Sequence, residues 1–379
     1  MAKVFICGDI VNYENRDGLV CSKTLSKVIS EADYSICNFE APIDGFGEPQ
    51  PKSGSHHFQR KSTIGGLKEQ GFNLLCMANN HIMDFGSAGL TETIKEANSS
   101  GLETIGAGSD FDEAYKPLIK KIDNLKLGII NACEAQFGVI DYFSGPDQAG
   151  YAWINHNNID KQIIELRKKC DYVIVLSHAG LEHYNLPQKE WRRRYKHFCD
   201  LGADAIVGSH PHVPQGYEHY NDSLIFYSLG NFYFDSKNYI KKEDRSYSIV
   251  LQLEKNKKIN FEPVFHHKQD GLVQLSPPDK QIDLNSLNAN LNDEYEMLHN
   301  AMSLAVYSKK IKSNFIYSIL PFPYDGRLKS SLKRIIATLL GRKKIDKDLL
   351  ALHLLRNEAY YYAAKHALEL ISKEKYGDN

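Results

Sequence analysis

Long apolar runs are missing from this sequence. No stretch approaches the roughly 20 apolar residues that a membrane-spanning helix needs, and the opening MAKVFICGDI has no apolar signal core of roughly 7–15 residues. A strong charge of either sign is missing too. With 46 Lys and Arg against 47 Asp and Glu, the formal net charge is −1. No global field therefore draws the chain to nucleic acid, and no nucleic-acid-binding module is recognisable. Cysteine is sparse and never paired as C-x-x-C: Cys7, Cys21, Cys37, Cys76, Cys133, Cys170 and Cys199 are spread singly. That excludes a thiolate metal site and predicts reduced, buried thiols. These absences together predict a cytoplasmic protein.

What is present over the first two thirds is an alternation of short apolar runs with amphipathic segments. Strands are predicted at Lys3–Cys7, Tyr34–Asn38, Asn73–Ala78, Leu102–Ile105, Leu125–Ala132, Tyr172–Ser177 and Ala205–Ser209. Several are apolar throughout, as strands covered on both faces by other layers must be. Helices are predicted between them at Ser22–Ala32, Thr63–Gln70, Ala88–Ser99, Asn158–Lys169 and Gln188–Leu201. This is the rhythm of a layered α/β sandwich. Beyond residue 220 the pattern turns to antiparallel strands at Leu224–Ser228, Tyr247–Leu253 and Ile259–Phe265. A linker, Ser276–Asp283, leads into helices at Asp293–Lys310 and Arg327–Leu340, and into one long helix capped by Asp346.

Five strand ends carry ligand-type residues. Gly8-Asp9, Phe39-Glu40, Asn79-Asn80-His81 with Asp84, His178, and His210-Pro211-His212 each follow an apolar run directly. In open α/β sheets ligands bind beyond the carboxyl ends of strands. Carboxylate, imidazole and amide oxygen suit Zn, Mn or Fe rather than soft thiolate-bound metals. Any one of these residues alone is a turn residue or a satisfied histidine; turn chemistry does not require ligand types at five successive strand ends. Asp84 has a second reading as N-cap of the next helix. Tyr227–Asp235 reads either as a core strand and turn, or as a segment that brings Asn231 to the mouth of the site.

Gly8-Asp9, Asn38-Phe39-Glu40-Ala41-Pro42, Ala78-Asn79-Asn80-His81-Ile82, Gly202–Val213 and Tyr227–Phe232 also resemble the CapA family. These are bacterial capsule and poly-γ-glutamate biosynthesis proteins, related to the calcineurin-like metallophosphoesterases. The resemblance spans roughly residues 3–235. It implies a four-layer α/β/β/α metallophosphoesterase-like sandwich over residues 1–275, with a helical C-terminal appendage over 285–379. It places metal ligands at Asp9, Glu40, Asn80, His178, His210 and His212, with Glu40 as the bridging carboxylate of a pair of divalent ions. His81 becomes a catalytic histidine and general acid, oriented by Asp84, while Glu182, Asn38 and Asn231 support the ligands or face the substrate.

The sequence departs from the superfamily pattern at three points. Val11 stands where a metal-binding His is usual, so Asn12, Asn38, His56 or His57 would have to replace it. Glu40 replaces a shorter Asp, and Ala179 stands where the family commonly has Trp.

The implied activity is hydrolysis of a phosphorylated or nucleotide-linked sugar or polymer precursor. The alternatives are a non-catalytic metal-binding accessory protein, or an acyl or amide hydrolase or transferase on the same metals. The basic residues of Lys309–Lys312 and Arg327–Lys347 read as a solvated helical face, or as a patch for a biosynthetic complex or the inner membrane surface. Tyr360-Tyr361-Tyr362 reads as packing or as a homo-oligomer contact.

Overall fold

The computed structural model describes residues 1–235, 244–292, 294–320 and 346–377, together with Leu328, Lys329, Leu332 and Ile336. Most of the predicted helix Arg327–Leu340, and the basic residues Arg327, Lys333, Arg334, Arg342, Lys343 and Lys344, lie outside the described residues.

The first sheet begins with β1 (Ala2–Val11), β2 (Tyr34–Phe39), β3 (Leu74–Cys76) and β4 (Glu103–Ile105), parallel neighbours in that order. The second contains β5 (Leu118–Ile122), β6 (Leu125–Cys133), β7 (Tyr172–His178), β8 (Ala205–Ser209), β9 (Tyr217–Tyr220) and β10 (Ser223–Phe226), in spatial order β9-β10-β8-β7-β6-β5. The chain then returns to the first sheet with β11 (Asn231–Phe234), β12 (Arg245–Leu253), β13 (Asn260–Gln269) and β14 (Leu272–Leu275).

Alternation of side chains along each strand builds three cores. On β1, Val4 and Ile6 point to the core between the sheets, while Phe5 and Cys7 point outward to a core under helices. On β7, Ile174 and Leu176 face the first sheet, and Val173 and Val175 face the opposite helical layer. The outer helices are α1 (Lys23–Ser30), α2 (Ser62–Glu69) and α3 (Gly86–Ser99) on one side, and α4 (Asn157–Arg167) and α5 (Lys189–Asp200) on the other. The result is the expected α/β/β/α sandwich.

C-terminal helices α6 (Tyr295–Val306), α7 (Lys312–Ile319), α8 (Lys347–Arg356) and α9 (Glu358–Tyr376) bury Met302, Val306, Leu350, Leu354 and Ala363 in the same core as α4 and α5. Asp346 caps α8 as anticipated, its side chain accepting from the Leu349 N–H at 3.0 Å. The single long helix expected there is instead two. Asn357 leaves the helical region (φ −67°, ψ 108°) and caps the second, accepting from the Tyr360 N–H at 2.8 Å. An Asn side chain competes well for a helix N-terminus, so the chain turns there despite continuous apolar spacing. Among the described residues, no helix is long and apolar enough to cross a membrane. All seven cysteines are free, six of them buried.

Candidate metal centre

Strand register sets one level at which the ligand-type residues meet. Asp9 of β1 lies beside Asn38 of β2 and Asn231 of β11, and Asn38 lies beside Cys76 of β3. On the second sheet, His178 ends β7 beside Cys133 of β6 and Ser209 of β8, so Glu134 and His210 emerge at the same height. At this level β1 exchanges neighbours: Ala2–Ile6 pair with β12, and Asp9–Val11 pair with β11. The exchange requires Gly8, since a Cβ there would sit 1.8 Å from the Gly230 carbonyl oxygen.

Five side chains converge, forming two groups that share Glu40: Glu40 with His178 and His210, and Asp9 with Glu40 and His212. His178 Nε2 lies 3.0 Å from His210 Nδ1, 3.1 Å from Asn80 Oδ1 and 3.5 Å from Glu40 Oε1. In the second group, His212 Nδ1 is 3.3 Å from Asp9 Oδ2, and its Nε2 is 3.7 Å from Glu40 Oε1. Asp9, Glu40 and His178 are fully buried, and His210 and His212 nearly so. His210 and His212 both have positive φ, +94° and +60°. Such conformations cost non-glycine residues roughly 1–3 kcal/mol each and persist where the surroundings demand them.

Electrostatics single out Glu40. Neither of its carboxylate oxygens has a hydrogen-bond partner among the described residues. Burial, reinforced by Asp9, pushes its carboxyl well above the usual range. Burial would raise Asp9 as well, but the His212 hydrogen bond and the nearby His178 hold it at about 2. Burial opposes the His212 imidazolium, yet Glu40 and Asp9 raise it to about 10. Burial keeps His178, at about 4, and His210 neutral. A buried, unpaired carboxylate costs several kcal/mol. A divalent cation would take the place of the His212 proton and pair both carboxylates, removing that cost, so the donor set of carboxylates, imidazoles and amide fits the implied metals.

Neighbouring residues fix the ring orientations, as groups around metal ligands commonly do. Ser209 Oγ is 2.9 Å from His178 Nδ1 and donates in turn to the Ser177 carbonyl. Asn231 Oδ1 takes the Nδ1 proton of His212 at 2.9 Å, which leaves Nε2 facing Glu40. Asn38 donates to Asp9 Oδ1 at 2.7 Å and lies 3.1 Å from His178 Nδ1.

A family model described as "Bacterial capsule synthesis protein PGA_cap" matches residues 5–236, which is more than half of the chain. The chain belongs to this family. It is 32% identical over 234 residues to capsule biosynthesis protein CapA of Bacillus anthracis, covering 60% of this chain and 56% of that one. It is 31% identical over 258 residues to PGA biosynthesis protein CapA of Bacillus subtilis, covering 65% and 67% respectively. The chain thus spans little more than half of the first relative's length. Solved structures similar to it include a hypothetical protein from Thermus thermophilus (TM-score 0.47, 16% identity, covering 70% of this chain and all of that one). A 5'-nucleotidase from Candida albicans is another (TM-score 0.41, 10% identity, 83% and 59% covered). The architecture given above rests on the sheets themselves.

In this PGA_cap chain, His81 and Asp84 meet beside the two groups, with His81 Nδ1 2.8 Å from Asp84 Oδ2. Asp84 does not cap α3: Phe85 holds the cap position without a side-chain bond. Instead Asp84 also accepts the His57 N–H at 2.7 Å and pairs with buried Lys52. Lys52 Nζ lies 3.2 Å from His81 Nδ1. Burial, and then the Lys52 charge, push the His81 imidazolium well down. Glu182 belongs to neither group but lies within electrostatic reach of His210, His212 and Glu40; it lines the adjoining cavity and faces Lys310 Nζ at 3.8 Å.

Of the four candidates to replace the ligand lost at Val11, Asn38 alone is seen to touch Asp9, and its Oδ1 has no partner among the described residues. Asn12 is turned to Asn15 and Thr63, and His56 to the Gln50 carbonyl. His57 lines the cavity, but its Nδ1 engages the Tyr13 hydroxyl. Sequence reasoning did not find Glu134, Gln136 or Lys52. Glu134 is fully buried, with Oε1 3.6 Å from His210 Nε2 and 2.8 Å from Gln136 Nε2. Its one signal was position: it follows β6 directly, as the other ligand-type residues follow their strands. Lys52 comes from an irregular loop and carries no such signal.

Proposed function

We propose that this PGA_cap protein is a metal-dependent phosphoester hydrolase acting on a phosphorylated or nucleotide-linked sugar or polymer precursor. The observation that carries the reading is Glu40, buried, unpartnered and shared between two histidine-containing groups. Asn80, His178 and His210 would hold one ion; Asp9, His212 and Asn38 would hold the other; Glu40 would join both. Divalent ions there, Mn, Zn or Fe, would supply Lewis acidity toward a phosphoryl oxygen.

The protein's own residues do the rest. Lys52, 5% exposed at its side chain, places one fixed positive charge where a phosphate would enter. Asp84 and Lys52 engage Nδ1 of His81, which leaves Nε2 to meet the leaving-group oxygen. In the free protein the ring is neutral. The charge of an entering phosphoester offsets the Lys52 contribution to that shift and so favours the imidazolium that can donate. Water entering from the cavity is the nucleophile: its oxygen bonds to phosphorus as the P–O bond to the leaving group breaks, its own proton passes to solvent, and His81 protonates the departing oxygen.

The test is a panel of phosphomonoesters and phosphodiesters with Mn-loaded protein, comparing wild type with His81→Ala. Loss of the general acid predicts a fall in kcat of about 10²–10⁴-fold on the substrate turned over, with metal content unchanged. Metal-loaded protein that turns over no phosphoester would support an accessory role instead.

A further inference from the structure

Above the two groups lies a cavity of about 320 Å³. One side is made by the ligand loops. The other is made by Lys310, Asn314, Leu350, His353, Leu354 and Tyr360, all beyond the 5–236 family match. These helices are docked firmly. Glu358, at the start of α9, accepts from the Ala135 N–H at 2.7 Å, from Trp153 Nε1 at 3.0 Å and from Asn155 Nδ2 at 2.8 Å. Those groups flank the segment that carries Glu134 and Gln136, so the far wall is tied to the metal side of the cavity.

Lys310 sits in a π-helical turn, Tyr307–Ile311, between α6 and α7. Such turns are rare and frequently occur at functional sites, because the extra residue redirects the side chains that follow. Lys310 and Asn314, one turn apart, share a helix face, and both line the cavity. Lys310 Nζ lies 4.5 Å from the Tyr360 ring centre. The His353 ring stacks on Phe137 at 5.4 Å, and its buried Nδ1 has no hydrogen-bond partner among the described residues.

We infer that this C-terminal wall is the specificity element of the site. It would receive the organic part of a small phosphate ester, namely a single polar ring such as a sugar. The inference rests on the phosphoesterase reading for the position of the phosphate. Aliphatic and aromatic carbons of Leu350, Leu354 and Tyr360 suit the faces of such a ring. Lys310 and Asn314 suit its hydroxyl edges. The volume lies at the low end of the roughly 300–1,000 Å³ typical of small-ligand pockets. A monomer or a chain end fits that space; an internal linkage of a polymer, flanked by chain on both sides, does not.

The test is calorimetric binding to full-length, Mn-saturated protein of three probes: inorganic phosphate, glucose 1-phosphate and poly(glycerol phosphate). Glucose 1-phosphate should bind about tenfold more tightly than inorganic phosphate, and the polymer no more tightly per phosphate than inorganic phosphate. Lys310→Ala and Asn314→Ala, both at partly exposed positions, should together erase the sugar preference. Affinity for inorganic phosphate should stay within about twofold, which also reports that the double variant is folded. Equal binding of phosphate and glucose 1-phosphate by wild type, equal weakening of both in the variant, or tighter binding of the polymer would overturn the inference. Turnover of glucose 1-phosphate, followed alongside, separates the two claims. A sugar preference without turnover leaves the wall's role standing and removes the hydrolase reading.

Discussion

Asn231 shows how much of the centre depends on single side chains that touch no ion themselves. By accepting the Nδ1 proton of His212, it selects the tautomer whose Nε2 points to Glu40. Asn231→Leu keeps the side-chain volume but removes the acceptor. Metal affinity at the Asp9 side should fall by about 10–100-fold, with the other group unaffected. Competition against a fluorescent chelator would measure this, and unchanged affinity at both positions would count against it. The sequence marked Asn231, within Tyr227–Phe232, as supporting the ligands or facing the substrate, but did not show that its partner is His212 Nδ1. The expected strand Leu224–Ser228 is present as β10, and a further strand, β11, begins at Asn231 and pairs in register with Asp9. Glu134 was hidden for the opposite reason. It looks like an ordinary acid after a strand, and only the parallel register of β6 with β7 brings it to His210.

At the scale of elements, strand interiors were legible because a strand covered on both faces must be apolar throughout. The β7 and β8 predictions agree with the structure to within a residue. Edge strands such as β5 and β9, whose faces are partly open, carry mixed residues and gave no comparable signal. The C-terminal helices were legible as helices, but their docking was not, because it depends on Glu358, a residue with the composition of any helix start. Its carboxylate satisfies three donors from two segments, Ala135 just after β6 and Trp153 with Asn155 ahead of α4. Glu358→Ala should cost about 2 kcal/mol, in keeping with hydrogen bonds to a charged group. The loss should appear in denaturant unfolding, together with earlier proteolytic cleavage within α9. Unchanged unfolding and cleavage would show that apolar packing alone holds the helices.

For the molecule as a whole, burial of neutral histidines away from the cavity sets a pH dependence. His266 of β13, buried beside Ser248 Oγ at 3.0 Å, is lowered by burial to about 3; burial likewise takes His299 of α6 to about 4. The unfolded chain binds these protons at the ordinary histidine value near 6.5. The stability they confer is therefore complete above that pH and is lost as pH falls from about 6.5 toward 4 and then 3. Each contributes a slope of up to about 1.4 kcal/mol per pH unit within its window. His266→Asn should flatten the urea-unfolding profile between pH 6.5 and 4, two limits that bracket most of that loss. A profile identical to wild type would contradict this assignment.

The layered architecture, the register of its two sheets and the two candidate donor groups all lead to Glu40, and metal stoichiometry tests that convergence most directly. Elemental analysis of protein purified with Mn present should find about two ions per chain in wild type, as in two-metal hydrolytic sites. His210→Ala and His212→Ala should each lose one ion. Glu40→Gln, which keeps the shape but removes the shared charge, should retain neither tightly. A wild-type protein without bound metal, or a Glu40→Gln protein with its full complement, would contradict the account.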